Sequence, residues 1–160
     1  MFMFCDSSNE GNRLNNTNNP LKLYIFCCSN SFNIDEFNQT SLEKEGDKQK
    51  IISLPCSGKA DLLYFLKAFE TGADGIVLIT CPKNECHYLE GNLRAHKRAE
   101  YVNSILEEIG MGNKRITVLN MSENGMGDII AKVKEFRNMI KSMASNSAVS
   151  NNTNTSVYSS

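Results

Sequence analysis

Four cysteines carry most of the chemical potential of this sequence: Cys28, Cys56, Cys81 and Cys86. The first three each close a short apolar run, Leu23-Tyr24-Ile25-Phe26-Cys27-Cys28, Ile51-Ile52-Ser53-Leu54-Pro55-Cys56 and Ile76-Val77-Leu78-Ile79-Thr80-Cys81. Such runs read as buried strands. In an open α/β sheet the carboxyl ends of the strands border the ligand crevice. Three thiols on strand ends, with Cys86 on the following loop, can therefore converge. Four convergent thiolates bind zinc or an iron–sulfur cluster. Cys81-Pro82-Lys83-Asn84-Glu85-Cys86 is a C-x4-C, a spacing found in plant-type iron–sulfur sites and also within the range of zinc ligands.

Neighbouring residues favour an anionic centre. Cys56 is followed by Ser57-Gly58 and a helix start, and Cys86 opens a second helical segment. Free N–H groups at helix N-termini stabilise anions, so both positions are expected to lower thiol pKa. His87 is a candidate ligand, proton carrier or hydrogen-bond donor to a ligand. With four thiols at hand the donor role suits it best. Tyr88 is expected to pack over the site. Arg94, His96, Lys97 and Arg98 read as a solvated helix face, or as a patch that docks an acidic partner or screens the centre's charge. Cys27 points away from Cys28 because side chains alternate along a strand, and it reads as a small buried hydrophobe. Cys5 lies in a polar N-terminal stretch and has no expected role.

The elements that position these residues follow from periodicity. Strands are expected near 22–27, 50–54, 75–80 and 116–119. A weakly patterned short helix lies around 34–44. Leu62, Phe65, Leu66 and Phe69 recur at helical spacing, with Gly72 as the stop. Val102, Ile105, Leu106 and Ile109 mark a long helix after Cys86 that ends at Gly110. Ile129, Ile130, Val133, Phe136 and Ile140 mark a last helix over about 127–143. This alternation predicts an α/β fold, flavodoxin- or Rossmann-like, with a mostly parallel four-stranded sheet and helices on its faces. Residues 1–20 and 144–160 are rich in Asn, Ser and Thr without periodicity, and read as disordered tails around one domain over 21–143.

The chain has 160 residues and a net charge of −1, which calls for neither nucleic acid nor an anionic membrane. Its apolar stretches are strand-sized, and its start lacks the pattern of a secretory signal. The expected place is the cytoplasm, where six cysteines are metal-binding or catalytic rather than a disulfide framework. No G-x-G-x-x-G follows the first strand, and no P-loop or local Ser-His-Asp arrangement is present. A lone thiol nucleophile would leave three crevice cysteines without a role.

From Pro55 onward the sequence resembles a known family. Cys56-Ser57-Gly58-Lys59-Ala60-Asp61, Gly72-Ala73-Asp74-Gly75, and Cys86-His87-Tyr88-Leu89-Glu90-Gly91-Asn92 with Arg98 beyond are similar to the delta subunit of methyl-viologen-reducing hydrogenase. The resemblance implies a [2Fe-2S] cluster on Cys28, Cys56, Cys81 and Cys86, with Ser57, Gly58, His87, Tyr88 and Arg98 around it. It also implies electron relay between hydrogenase subunits, or another donor, and the flavin-containing subunit of heterodisulfide reductase. Such a protein carries electrons within an oxidoreductase complex rather than catalysing alone. The family usually has C-x-x-C after its first strand, whereas here Ser31 stands where the second cysteine would be. Two arrangements fit: the four remaining cysteines form a complete set, or Ser31 replaces a required ligand. Rival readings are a structural zinc site in an interaction module and a thiol redox sensor using Cys81 and Cys86.

Overall fold

The strand Lys22–Cys28 (β1) lies inside the sheet because six of its seven residues are apolar enough to be buried on both faces. The computed structural model describes residues 20–39, 47–121 and 125–150. After β1 come α1 (Ile34–Gln39), β2 (Lys48–Leu54), a 3-10 turn (Ser57–Lys59), α2 (Leu62–Glu70), β3 (Gly75–Thr80), α3 (Gly91–Glu108), β4 (Ile116–Asn120) and α4 (Gly125–Ser150). The four strands are parallel in the order β2-β1-β3-β4. This is the flavodoxin-like winding.

Side-chain alternation divides the core in two. Leu23, Ile25 and Cys27 of β1 and Val77 and Ile79 of β3 face Phe37 of α1 and Ile129, Val133, Phe136 and Ile140 of α4. Tyr24 and Phe26 with Ile76 and Leu78 face Phe65 and Ala68 of α2 and Ala95, Ala99, Val102 and Leu106 of α3. Both faces of the central strands are thus covered, as continuous apolar runs require in a parallel sheet.

Boundaries differ from the sequence expectation where backbone pairing, not hydrophobicity, sets them. β2 starts at Lys48, because polar Lys48, Gln49 and Lys50 pair with Lys22, Leu23 and Tyr24 along the sheet edge. α2 starts at Leu62, capped by the Asp61 carboxylate, which accepts from Leu62 N–H at 2.6 Å. α3 starts at Gly91, after a loop containing Asn84 and Leu89 at positive φ. α4 continues to Ser150, past the expected end at Met143, since an existing helix adds one hydrogen bond for each further residue fixed. Of the expected tails, residues 1–19, Cys5 among them, and 151–160 lie outside the described residues. Among the described residues, no helix is long and apolar enough to cross a membrane.

Candidate metal centre

β1 and β3 are neighbours, and their carboxyl ends lie at the point where the chain winds outward in opposite directions. That is the crevice position of doubly wound folds. Cys28 ends β1 and Cys81 directly follows β3, so the strands deliver the two thiols side by side, with Sγ atoms 3.4 Å apart. Cys56 arrives from β2 through Pro55. It caps the 3-10 turn, and its Sγ accepts from Gly58 N–H at 3.3 Å. Cys86 sits on the loop between β3 and α3. All four are buried and free.

Gly91 and Gly58 permit the approach of Cys56 to Cys86. A Cβ at Gly91 would overlap the Cys56 sulfur outright and come 3.1 Å from Cys86 Sγ. A Cβ at Gly58 would come 2.8 Å from Gly91 Cα. Neither glycine has a positive φ, so what each position requires is the missing side chain. The two pairs, Cys28 with Cys81 and Cys56 with Cys86, also face each other. The sulfurs of Cys28 and Cys86 act electrostatically on both Cys56 and Cys81. The sulfur in hydrogen-bonding contact with Cys81 is that of Cys28.

The thiols are not equivalent. Burial pushes Cys56 up, against the Gly58 N–H, and neighbouring Cys86 and Cys28 add to the rise. Cys81 is also raised, first by burial and further by Cys28 and Cys86, while the Ser31 hydroxyl pulls it down. At Cys86, burial is overcome by backbone N–H groups of Asn92, Tyr88 and Gly91 and by Cys56, and the thiol lies below its ordinary value. The expectation that helix-start positions lower both Cys56 and Cys86 holds only for Cys86. One N–H reaches Cys56, too few to offset its loss of solvation. Cys27, on the opposite face, is pushed up to about 11 by burial and by Cys28.

The surrounding residues hold the backbone that carries the sulfurs. Arg98 Nη1 donates to Gly58 O at 2.7 Å and to Ala60 O at 3.0 Å, clamping the turn after Cys56 to α3. Asn92 Nδ2 donates to Pro82 O at 3.3 Å, and its Oδ1 accepts from Leu93 N–H at 2.8 Å. Asn30 Nδ2 donates to Pro55 O at 2.8 Å. Asn120 Oδ1 accepts from the Thr80 hydroxyl at 2.6 Å and from His96 Nε2 at 3.0 Å, tying the ends of β3 and β4 to α3. Ser57 is fully buried beside Cys56. His87 and Tyr88 stack edge to face, 5.0 Å between centroids, and are exposed. The Tyr88 ring therefore does not cover the thiols; its backbone N–H serves Cys86. Asn30, Gly91, Asn92 and Asn120 were not distinguished by any periodic pattern, although Gly91-Asn92 closes the motif after Cys86.

The residues fit a sulfur-ligated group. Four soft donors converge, backbone N–H groups are aimed at two of them, and the glycine cradle leaves their sulfurs room. The Ser31 and Ser57 hydroxyls are buried without a hydrogen-bond partner. Among the described residues, no three His, Cys, Asp or Glu side chains gather tightly enough for a single metal ion. The thiols form two pairs instead.

The region that holds these residues is covered by the comparisons with known proteins. A family model described as methyl-viologen-reducing hydrogenase, delta subunit, matches residues 23–144. The chain is 32% identical over 125 residues to the vhu iron-sulfur subunit of the F420-non-reducing hydrogenase of Methanocaldococcus jannaschii, covering 78% of this chain and 93% of that one. It is 30% identical to the protein of the same name from Methanococcus maripaludis, covering 79% and 95%. A 73-residue stretch, 46% of this chain, is 37% identical to 9% of a subunit of the ferredoxin:CoB-CoM heterodisulfide reductase of Methanosarcina mazei.

Proposed function

The chain belongs to the family of the delta subunit of methyl-viologen-reducing hydrogenase, and from that premise we propose an electron-transfer subunit in which Cys28, Cys56, Cys81 and Cys86 hold a [2Fe-2S] cluster. The observation carrying this reading is the pairing of the thiols. A two-iron cluster takes four thiolates, two on each iron, whereas a structural zinc ion takes all four at one point. When bound, the cluster supplies a one-electron redox couple. The protein's own residues do the rest. Cys28 and Cys81 form one ligand pair on the strand ends, and Cys56 and Cys86 form the other. Gly58 and Gly91 leave room between the turn and α3. The N–H groups of Gly58, Tyr88, Gly91 and Asn92 offset the thiolate charge. Arg98 keeps Cys56 in register with α3. Ser31 is not required as a ligand.

The relatives' names support the partners. Hydrogenase subunits would donate, and the flavin-containing subunit of heterodisulfide reductase would accept. The stretch similar to this chain inside a heterodisulfide reductase polypeptide supports that pairing, because a relative of the carrier there belongs to the acceptor's own chain. Exposed Tyr88, Leu89 and Leu93 flank the Cys86 loop and offer an apolar contact near the cluster. The working place is the cytoplasm.

The test is transfer itself. The anaerobically loaded chain, reduced with dithionite and freed of excess reductant, is mixed in a stopped-flow instrument with the flavin subunit. Flavin reduction matched by reoxidation of the chain is expected. Flavin that stays oxidised beside a reduced cluster would contradict the relay.

A further inference from the structure

We propose that Cys28 and Cys81 form a disulfide in the chain before its cluster is loaded, and that this bond gates cluster assembly. The gate rests on the cluster reading above; the bond rests on the geometry of two strand ends. Cys28 Sγ and Cys81 Sγ lie 3.4 Å apart, and both thiols are free and buried. Their backbones suit a bond. β1 and β3 run parallel with Cys27 opposite Ile79, so the next step sets Cys28 beside Thr80 and diagonal to Cys81. Strands about 4.8 Å apart with a rise of about 3.3 Å per residue make that diagonal about 6 Å between Cα atoms. Disulfides usually span roughly 4.4–6.8 Å between Cα atoms. Closing the sulfurs to a bond of about 2.05 Å therefore takes side-chain rotation and no separation of strands. The strand ends are also held in place. Ser29 N–H donates to Leu54 O and Met121 N–H donates to Thr80 O, each at 2.9 Å. Cys56 is engaged differently, since its sulfur accepts from Gly58 N–H at 3.3 Å.

A small hydroperoxide is the oxidant class that fits, because both sulfurs are buried and a bulky disulfide cannot reach them. One sulfur attacks a peroxide oxygen. The O–O bond breaks, the sulfur becomes a sulfenic acid and water leaves. The other sulfur attacks the sulfenic sulfur. The S–S bond forms, the S–O bond breaks and a second water carries off the oxygen. In sum, two thiols give up two hydrogens and two electrons, and one hydrogen peroxide becomes two waters. The bond removes Cys28 and Cys81 from the ligand set. Cys56 and Cys86 alone cannot complete a two-iron cluster, which takes four thiolates. A dithiol reductant returns both thiols by exchange. Cluster loading thus waits on reduction of the chain.

The experiment uses the full native chain, stripped of metal under reducing conditions and freed of reductant. It is exposed to equimolar hydrogen peroxide, its remaining thiols are alkylated in denaturant, and its peptides are mapped without reduction. A parallel sample is offered iron and sulfide anaerobically, before and after dithiothreitol. The expected map shows a Cys28–Cys81 linked peptide as the main product, with Cys56 and Cys86 alkylated. Uptake of iron and sulfide is expected to be lost in the oxidised chain and restored by dithiothreitol. A main product linking Cys81 to Cys86, or Cys56 to Cys86, overturns the proposal, as does sulfinic acid without a linkage. A linked chain that still takes up its full iron and sulfide overturns the gate. A reduced chain that takes up neither overturns the cluster reading and the gate with it, whatever the map shows.

Discussion

Gly91 separates local preference from site geometry. Alanine is favoured over glycine inside a helix by about 1 kcal/mol, so Gly91→Ala at the start of α3 should by propensity stabilise the fold. The added Cβ would instead strike the Cys56 sulfur and crowd Cys86. We predict a folded Gly91→Ala protein with little or no bound iron, checked by circular dichroism beside metal analysis. Cys27→Ala should keep its iron and lose about 1 kcal/mol of stability, since Cys27 packs in the α4-side core. Cys86 has a folded pKa below its unfolded one. It thus contributes stability above the unfolded value near 8.5, lost as pH falls through the folded value. In the apoprotein at about pH 7.5, Cys86 should react with iodoacetamide before Cys56 or Cys81, whose thiols are raised. Peptide mapping after brief labelling reads the order, and Cys56 reacting first would contradict the assignment. Cys28, Cys56 and Cys81 were legible because strand ends are readable from apolar runs, and Cys86 through its C-x4-C spacing to Cys81. The pKa of Cys56 was not, since sequence reveals a nearby N–H but not how much water is lost.

At the scale of elements, two contacts hold the helices where the site needs them. Arg98 joins α3 to the turn after Cys56 through two carbonyls. Arg98→Ala should leave iron binding possible but release it several-fold faster in air, followed by the decay of visible absorbance; an unchanged decay would remove the clamp from the account. Asp47 precedes β2 and is buried. Its Oδ1 accepts from Leu21 N–H at 3.1 Å, and its Oδ2 lies 3.2 Å from Arg137 Nε and 2.8 Å from Lys141 Nζ on α4. Removing one partner of a buried pair costs roughly 3–5 kcal/mol. Asp47→Ala should lie near the lower end because Lys141 is partly exposed, and a urea midpoint would measure it. The strands of the sheet centre were legible from their apolar runs. The first two residues of β2 were not, since Lys48 and Gln49 are polar and join the sheet by pairing with Lys22 and Leu23. The start of α3 was also hidden, because the loop before it is set by backbone turns at Asn84 and Leu89 rather than by periodicity.

For the whole molecule, the near-neutral charge gives little long-range steering, so recognition of a redox partner falls to local contacts. Leu89 is 86% exposed on the loop after Cys86 and has φ 64°, a conformation asparagine adopts more readily than leucine. Leu89→Asn should therefore keep the fold and the cluster spectrum while slowing transfer to the flavin subunit; unchanged transfer would move docking elsewhere. The parallel architecture was legible from the alternation of apolar runs and helical stripes. The continuation of α4 to Ser150 was not, because the sequence after Met143 carries no apolar periodicity. The central claim is that four thiols in two pairs hold one two-iron cluster. It is tested most directly by iron, sulfide and zinc analysis of the anaerobically purified chain, with electron paramagnetic resonance after dithionite reduction. About two irons and two sulfides per chain are expected, with a signal from one unpaired electron. A colourless protein with stoichiometric zinc and no such signal would contradict it.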